Sequence, residues 1–140
     1  TAAVYEQFLT ETVADILDHM PLAERRTLWF QQDGAPPHFA IRVRDWLNAH
    51  FPGRWIGRRG PVEWPPRSPD LTPLDFFLWG HLKSVVYTNR PRTVQALREN
   101  IEHACAQITP CVLRRVAQTM QKRVAKCIQV NGAQFEHLLQ

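Results

Sequence analysis

Three aspartates stand where a carboxylate can do chemistry: Asp33, Asp70 and Asp75. Asp33 closes the bulky, mostly apolar run Thr27-Leu28-Trp29-Phe30-Gln31-Gln32, and Gly34 follows it at once. Asp75 lies in Thr72-Pro73-Leu74-Asp75, just before Phe76-Phe77-Leu78-Trp79. Two carboxylates brought together repel, and a hard cation between them removes the repulsion. Mg2+ or Mn2+ suits such an all-oxygen site. Two such ions, about 3.5–4 Å apart, can clamp the attacking and leaving oxygens of an in-line phosphoryl transfer. A plainer reading of Asp75 stands beside this one. Thr72 to Asp75 is a capping box with Pro73 as first helical residue, and the carboxylate then only answers the positive end of the helix.

The elements around these acids decide what they can reach. Thr27 to Gln32 reads as a strand buried on both faces, in the middle of a sheet. Asp33 then sits at the carboxyl end of a strand, where open α/β sheets bind ligands. Asp33-Gly34 favours a hairpin turn, but Pro36 and Pro37 cannot donate to a returning ladder. The chain is instead expected to enter a helix from about His38 to His50, with Phe39, Val43, Trp46, Leu47 and His50 on one face. Upstream, the apolar spacing of Tyr5, Phe8, Leu9, Val13, Ile16, Leu17 and Met20 predicts a helix that Pro21 ends. Downstream, proline and glycine crowd the stretch from Phe51 to Pro73. Arg54-Trp55-Ile56 is a possible short strand there, and Trp64-Pro65-Pro66 must be extended. Three further helices are predicted: Asp75 to about Val86, Thr93 to Ile108, and Pro110 to about Val130. The inward positions of the last are Leu113, Val116, Met120, Val124, Cys127 and Ile128, with Arg114, Arg115, Lys122, Arg123 and Lys126 as a cationic remainder.

About five helices and two strands make an α/β class with an incomplete sheet, because two strands do not stand alone. The missing strands are expected N-terminal to this chain or from a partner. The first residue is Thr1 rather than Met, which suits a piece of a longer product. The length of 140 residues, 44% hydrophobic, suits a single domain, 1–140. No apolar run is long enough for a membrane span, so no membrane partner is expected. Lys and Arg number 17 against 13 acidic residues, and only Lys83, Lys122 and Lys126 are Lys. Arg dominance suits planar, bidentate partners such as phosphates. A net charge of +4 is by itself ordinary. Cys105, Cys111 and Cys127 are expected reduced and mostly buried, which suits the cytosol or nucleus. No Cys or His spacing suggests structural zinc.

Phe30-Gln31-Gln32-Asp33-Gly34-Ala35-Pro36-Pro37-His38 and Trp64-Pro65-Pro66-Arg67-Ser68-Pro69-Asp70-Leu71-Thr72-Pro73-Leu74-Asp75-Phe76 together resemble the catalytic domain of mariner-type transposases. These belong to the DDE/DDD superfamily with an RNase H-like fold. The resemblance covers nearly the whole chain and implies its C-terminal half, a partial RNase H-like fold. It implies two Mg2+ or Mn2+ ions held by three acids. Water and then a DNA 3′-hydroxyl attack phosphodiesters at the element's ends. It implies DNA as partner, a nuclear location and a homodimer of the full-length protein. Asp33 matches the second acid and Asp75 the third, while Asp70 matches a non-catalytic acid expected to cap or brace its loop. Three departures stand out. Gly34 replaces the Asn of many relatives. The interval from Asp33 to Asp75 is longer than in the best-known mariner enzymes. The first acid and the N-terminal helix-turn-helix region are missing, since Glu6, Glu11, Asp15, Asp18 and Glu24 all fall in or just after helix. The chain alone is therefore expected to be inactive, keeping nucleic-acid binding. The alternative is a non-catalytic transposon-derived module that binds DNA or protein. An unrelated α/β domain with capping aspartates is a third reading.

Other residues carry paired readings. His38 either orients a metal-bound water or a phosphate, or is a polar residue at a helix start. Arg54, Arg58, Arg59 and Arg67 either track DNA phosphates or form a solvated basic loop. Trp55 and Trp64 either stack on unpaired bases or pack under the loop.

Overall fold

The computed structural model describes residues 1–64 and 69–139. The chain starts with helical segments that run on from one another: α1 (Ala2–Gln7), a π-helical stretch (Phe8–Val13) and α2 (Ala14–Asp18). Thr10 explains part of the irregular middle. Its hydroxyl donates to the carbonyls of Glu6 (3.0 Å) and Gln7 (3.1 Å) and so competes with the helix ladder. Pro21 then leads into α3 (Leu22–Thr27), which the apolar spacing had not revealed.

Strand β1 is only Phe30–Gln31, and Thr27 belongs to the preceding helix. This corrects the expectation of a fully buried central strand. Trp29 is 53% exposed, and β1 lies at one end of the three-stranded order β1-β2-β3. A 3-10 turn (Pro36–Phe39) follows, and α4 (Ile41–His50) starts only after Ala40, whose extended backbone (ψ 148) separates the two. Strand β2 (Trp55–Gly57) pairs parallel with β1, Phe30 opposite Trp55 and Gln31 opposite Ile56. Strand β3 (Val62–Glu63) pairs parallel with β2 through Ile56 opposite Val62. Two residues show no periodicity, so β3 could not be read from the sequence. The turn before it places Arg59 at φ 61, and the Glu63 carboxylate accepts that residue's backbone N–H at 2.9 Å.

The remaining elements are a 3-10 turn (Pro69–Leu71), a π-helical segment (Leu74–Leu78), α5 (Trp79–Val85), α6 (Val94–Ala106) and α7 (Pro110–Gln129). Thr93 and Thr109 cap α6 and α7 with their hydroxyls, and Pro110 takes the first helical position. A short 3-10 turn (Glu136–Leu138) ends the chain's described part.

These elements form two compact units, Thr1–Ser68 and Pro69–Gln140. The first is built on Leu9, Leu17, Val43, Leu47, Phe51 and Trp55, with Tyr5 and Phe30 packed against them. The second has a smaller core of Leu82, Val86 and Ala104 with Leu78 and Leu97. Two expectations are corrected there. Leu113, Val124 and Ile128 on α7 are exposed, Ile128 by 72%. Cys105 and Cys111 are exposed and Cys127 is half-buried, all three free thiols. Phe135 is buried, whereas Leu138 is exposed.

Candidate functional site

In the first unit, the chain turns sharply after β1 and places Asp33 on that turn. Its Oδ1 accepts the backbone N–H of Ala35 at 3.0 Å, an Asx turn. The 3-10 turn, closed by His38 N–H to the Ala35 carbonyl (2.9 Å), brings the His38 ring back over the acid. His38 Nδ1 contacts the same Oδ1. Neither donor uses Oδ2. A carboxylate can only accept, so in the neutral imidazole the proton belongs on Nδ1 and Nε2 is bare. Asp33 is half exposed (51%), while its His38 partner is at 25%.

Two residues stand behind this pair. Tyr5, from α1, donates its hydroxyl to Gln32 Oε1 at 3.1 Å, and its ring lies 4.2 Å from that of His38. Gln32 is buried and donates through Nε2 to the His38 carbonyl at 2.7 Å. Burial, and then the charge of Asp33, push the Tyr5 phenol up to about 12, so it remains a donor.

The arginines divide. Arg54 donates to the carbonyls of Arg25 (3.1 Å) and Leu28 (2.8 Å), closing the C-terminal end of α3. Arg58 and Arg59 lie over the Phe39 ring, at 4.2 and 5.4 Å from its centroid. Arg67 lies outside the described residues, with Pro65, Pro66 and Ser68 of the second motif. Trp55 is fully buried and donates to Asn48 Oδ1 at 2.9 Å, the packing role of its two readings.

In the second unit, the Thr72 carbonyl accepts from Asp75 N–H (2.9 Å) and Phe76 N–H (3.0 Å). The helix therefore starts at Pro73, with Asp75 exposed in its first turn. Asp70 lies in the preceding 3-10 turn, and its main-chain carbonyl accepts from Arg123 Nη1 at 3.0 Å. Arg123 is itself buried. It grips the Glu136 carboxylate with both terminal nitrogens, Nη2 to Oε1 at 2.9 Å, and lies 4.4 Å over the Phe76 ring. That bond to Arg123 is the main reason Glu136 titrates below its ordinary value. Sequence reasoning had left Arg123 among the outer cations of α7. The available signal was its register: it falls between Met120 and Cys127 on the apolar stripe.

Glu6, Glu11, Asp15, Asp18 and Glu24 all lie in helical segments. Among the described residues no group of three or more His, Cys, Asp or Glu is placed to hold a metal.

A small parallel sheet with an acid past its first strand, and a second acid opening a helix, define a mixed α/β domain of the kind expected. Comparison with known proteins supplies the family. The chain is 29% identical over 130 residues to the transposable element Tc3 transposase of Caenorhabditis elegans, covering 91% of this chain and 36% of the relative. It is 31% identical over 103 residues to the Tc1 transposase of the same organism, covering 74% and 35%. Its fold matches the Mos1 transposase catalytic domain, solved with Raltegravir and Mn, at TM-score 0.81 and 25% identity, over 97% of this chain and 66% of that one. A Mos1 structure with Raltegravir and Mg matches at TM-score 0.80. No family model matches the sequence. The chain belongs with the mariner-type transposases and corresponds to part of their catalytic domain. It spans a little over a third of the length of the Tc3 and Tc1 relatives.

Proposed function

We propose that this chain is part of a DNA transposase that cleaves and joins strands by two-metal-ion phosphoryl transfer, with Asp33 and Asp75 as two of its metal-holding acids. The observation that carries this reading is the Asp33 turn. One carboxylate oxygen is anchored by Ala35 and His38, and neither anchor takes the other oxygen. An exposed, oriented carboxylate is the donor that Mg2+ or Mn2+ takes, and rigid elements suit the strict geometry of Mg2+. The Mos1 domain has been solved with each metal, which supports the same choice here. When bound, such ions supply charge neutralisation at the phosphodiester and an activated water or hydroxyl. His38 holds Asp33 through Nδ1, and its bare Nε2 can accept from a water; meeting a phosphate there would require the imidazolium, which donates from both nitrogens. Arg58 and Arg59 are proposed to meet DNA phosphates, positioning the duplex without reading its sequence. Arg54 is committed to the end of α3, which makes it the weaker phosphate candidate of the group. A nuclear location and a homodimer of the longer protein belong to the same reading.

The chain alone is proposed to be inactive, because every acid before Asp33 lies in a helix rather than at a strand. The test is metal-dependent nicking of a terminal-repeat duplex by this chain and by a version extended upstream. Nicking by the extended version alone, lost in Asp33→Asn and in Asp75→Asn, is the expected result. Nicking by the short chain overturns its inactivity. Nicking by neither, with salt-sensitive DNA binding retained, replaces the catalytic reading by a transposon-derived binding module.

A further inference from the structure

We propose that Tyr5 and Gln32 are positioning residues that set the imidazole of His38, and through it choose which oxygen of Asp33 faces a metal. The proposal rests on the reading of Asp33 as a metal-holding acid. Its own support is geometric. Gln32 is 6% exposed and both ends of its amide are used. Nε2 donates to the His38 carbonyl and Oε1 accepts from the Tyr5 hydroxyl. Turning the amide over would set its oxygen against the His38 carbonyl, acceptor facing acceptor, so only one orientation is satisfied. The seat is also full: a Cβ added at Gly57 would stand 2.9 Å from Gln32 Cγ. Tyr5 thus holds His38 twice, by ring contact and through Gln32 at the backbone. His38 presents Nδ1 to Asp33 Oδ1, which already carries the Ala35 N–H. That leaves Oδ2 to an ion. Partners one step removed from a metal commonly govern its affinity in this way.

Nitrogen-15 spectroscopy of the His38 ring tests this in the 140-residue chain, at about pH 8.5, above the ordinary imidazole range. Mn2+ titration followed by paramagnetic broadening at Asp33 runs alongside. The wild-type ring is expected as the Nδ1–H tautomer. Tyr5→Phe keeps the aromatic contact and loses only the hydroxyl. Gln32→Met keeps the chain length and loses both polar ends. Both are expected to mix the tautomers and weaken Mn2+ binding by about tenfold, with circular dichroism unchanged. A wild-type ring in the Nε2–H form overturns the proposal, as does an unchanged tautomer and affinity in both variants. Tautomer loss in both variants, with no Mn2+ broadening even in wild type, supports the bracket around His38 and overturns the metal reading of Asp33.

Discussion

Tyr5 can be followed by its own titration. Its phenol is moved from an ordinary 10.0 to about 12, by burial first and the charge of Asp33 second. The folded state therefore holds this proton more tightly than the unfolded chain does. The associated stability is present below about pH 10 and is lost as pH rises toward 12. Near-ultraviolet phenolate absorbance of the wild type is expected to show a late rise in that window, absent in Tyr5→Phe. A wild-type curve without the late rise would mean that Tyr5 is neither enclosed nor close to Asp33. Glu136 shifts the other way. Its carboxyl is held low by the bond to Arg123, so its stabilising effect is present above the ordinary value of 4.5 and lost as pH falls through its lower folded value. The Glu136 side chain is 58% exposed, so solvent screens much of the attraction. Glu136→Gln should cost only about 1 kcal/mol at neutral pH and should reduce the loss of stability in acid, as read by urea midpoints.

Among the elements, β2 and the turn after it show how far local pattern carries. The strand expected at Arg54-Trp55-Ile56 was legible in its bulky Trp55 and Ile56, but its bounds shift by one, leaving out Arg54 and taking in Gly57. The return to β3 was not, because a two-residue strand beyond Gly60-Pro61 has no alternation to detect. Helix α4 was legible in its buried stripe of Val43 and Leu47, but not in its start, which Ala40 and the diproline turn delay. Asp33 was legible from its place after β1, and its Asx turn agrees with Asp-Gly turn chemistry. The Tyr5–Gln32 support was not legible, since it joins α1 to the residue just past β1 across 27 positions of sequence. The turn between β2 and β3 also makes a sharp demand. A Cβ added at Gly60 would lie 2.6 Å from the Trp55 ring. That ring cannot retreat, being 1% exposed and tied to Asn48. Gly60→Ala is expected to destabilise the chain by about 1–3 kcal/mol, with the Trp55 change visible in fluorescence. Gly53→Ala is no equivalent control, since φ 69 there penalises any side chain without a packing clash.

For the whole molecule, the question is what its basic balance is for. A net charge of +4 favours a polyanion only weakly, and the structure shows that the arginines are not interchangeable. Arg54 is spent on carbonyls at the end of α3, and Arg123 is buried on Glu136 and Asp70. Charge counting from the sequence treats both as surface cations, because the acceptors that consume them lie far away along the chain. Arg58 and Arg59 rest on an aromatic face, which holds a guanidinium without neutralising it. They remain able to meet phosphate as charged forks. If they do, each contact releases counterions and steepens the fall of DNA affinity with salt by about 0.9 per phosphate on a double-logarithmic plot. Replacing Arg58 and Arg59 by Gln should weaken binding to any duplex alike and flatten that slope by up to about 2. Arg54→Gln should leave the slope nearly unchanged and lower thermal stability instead, because its loss uncaps α3. The reverse result, a slope carried by Arg54 and untouched by Arg58 and Arg59, would remove the β2–β3 turn from the proposed DNA-binding surface.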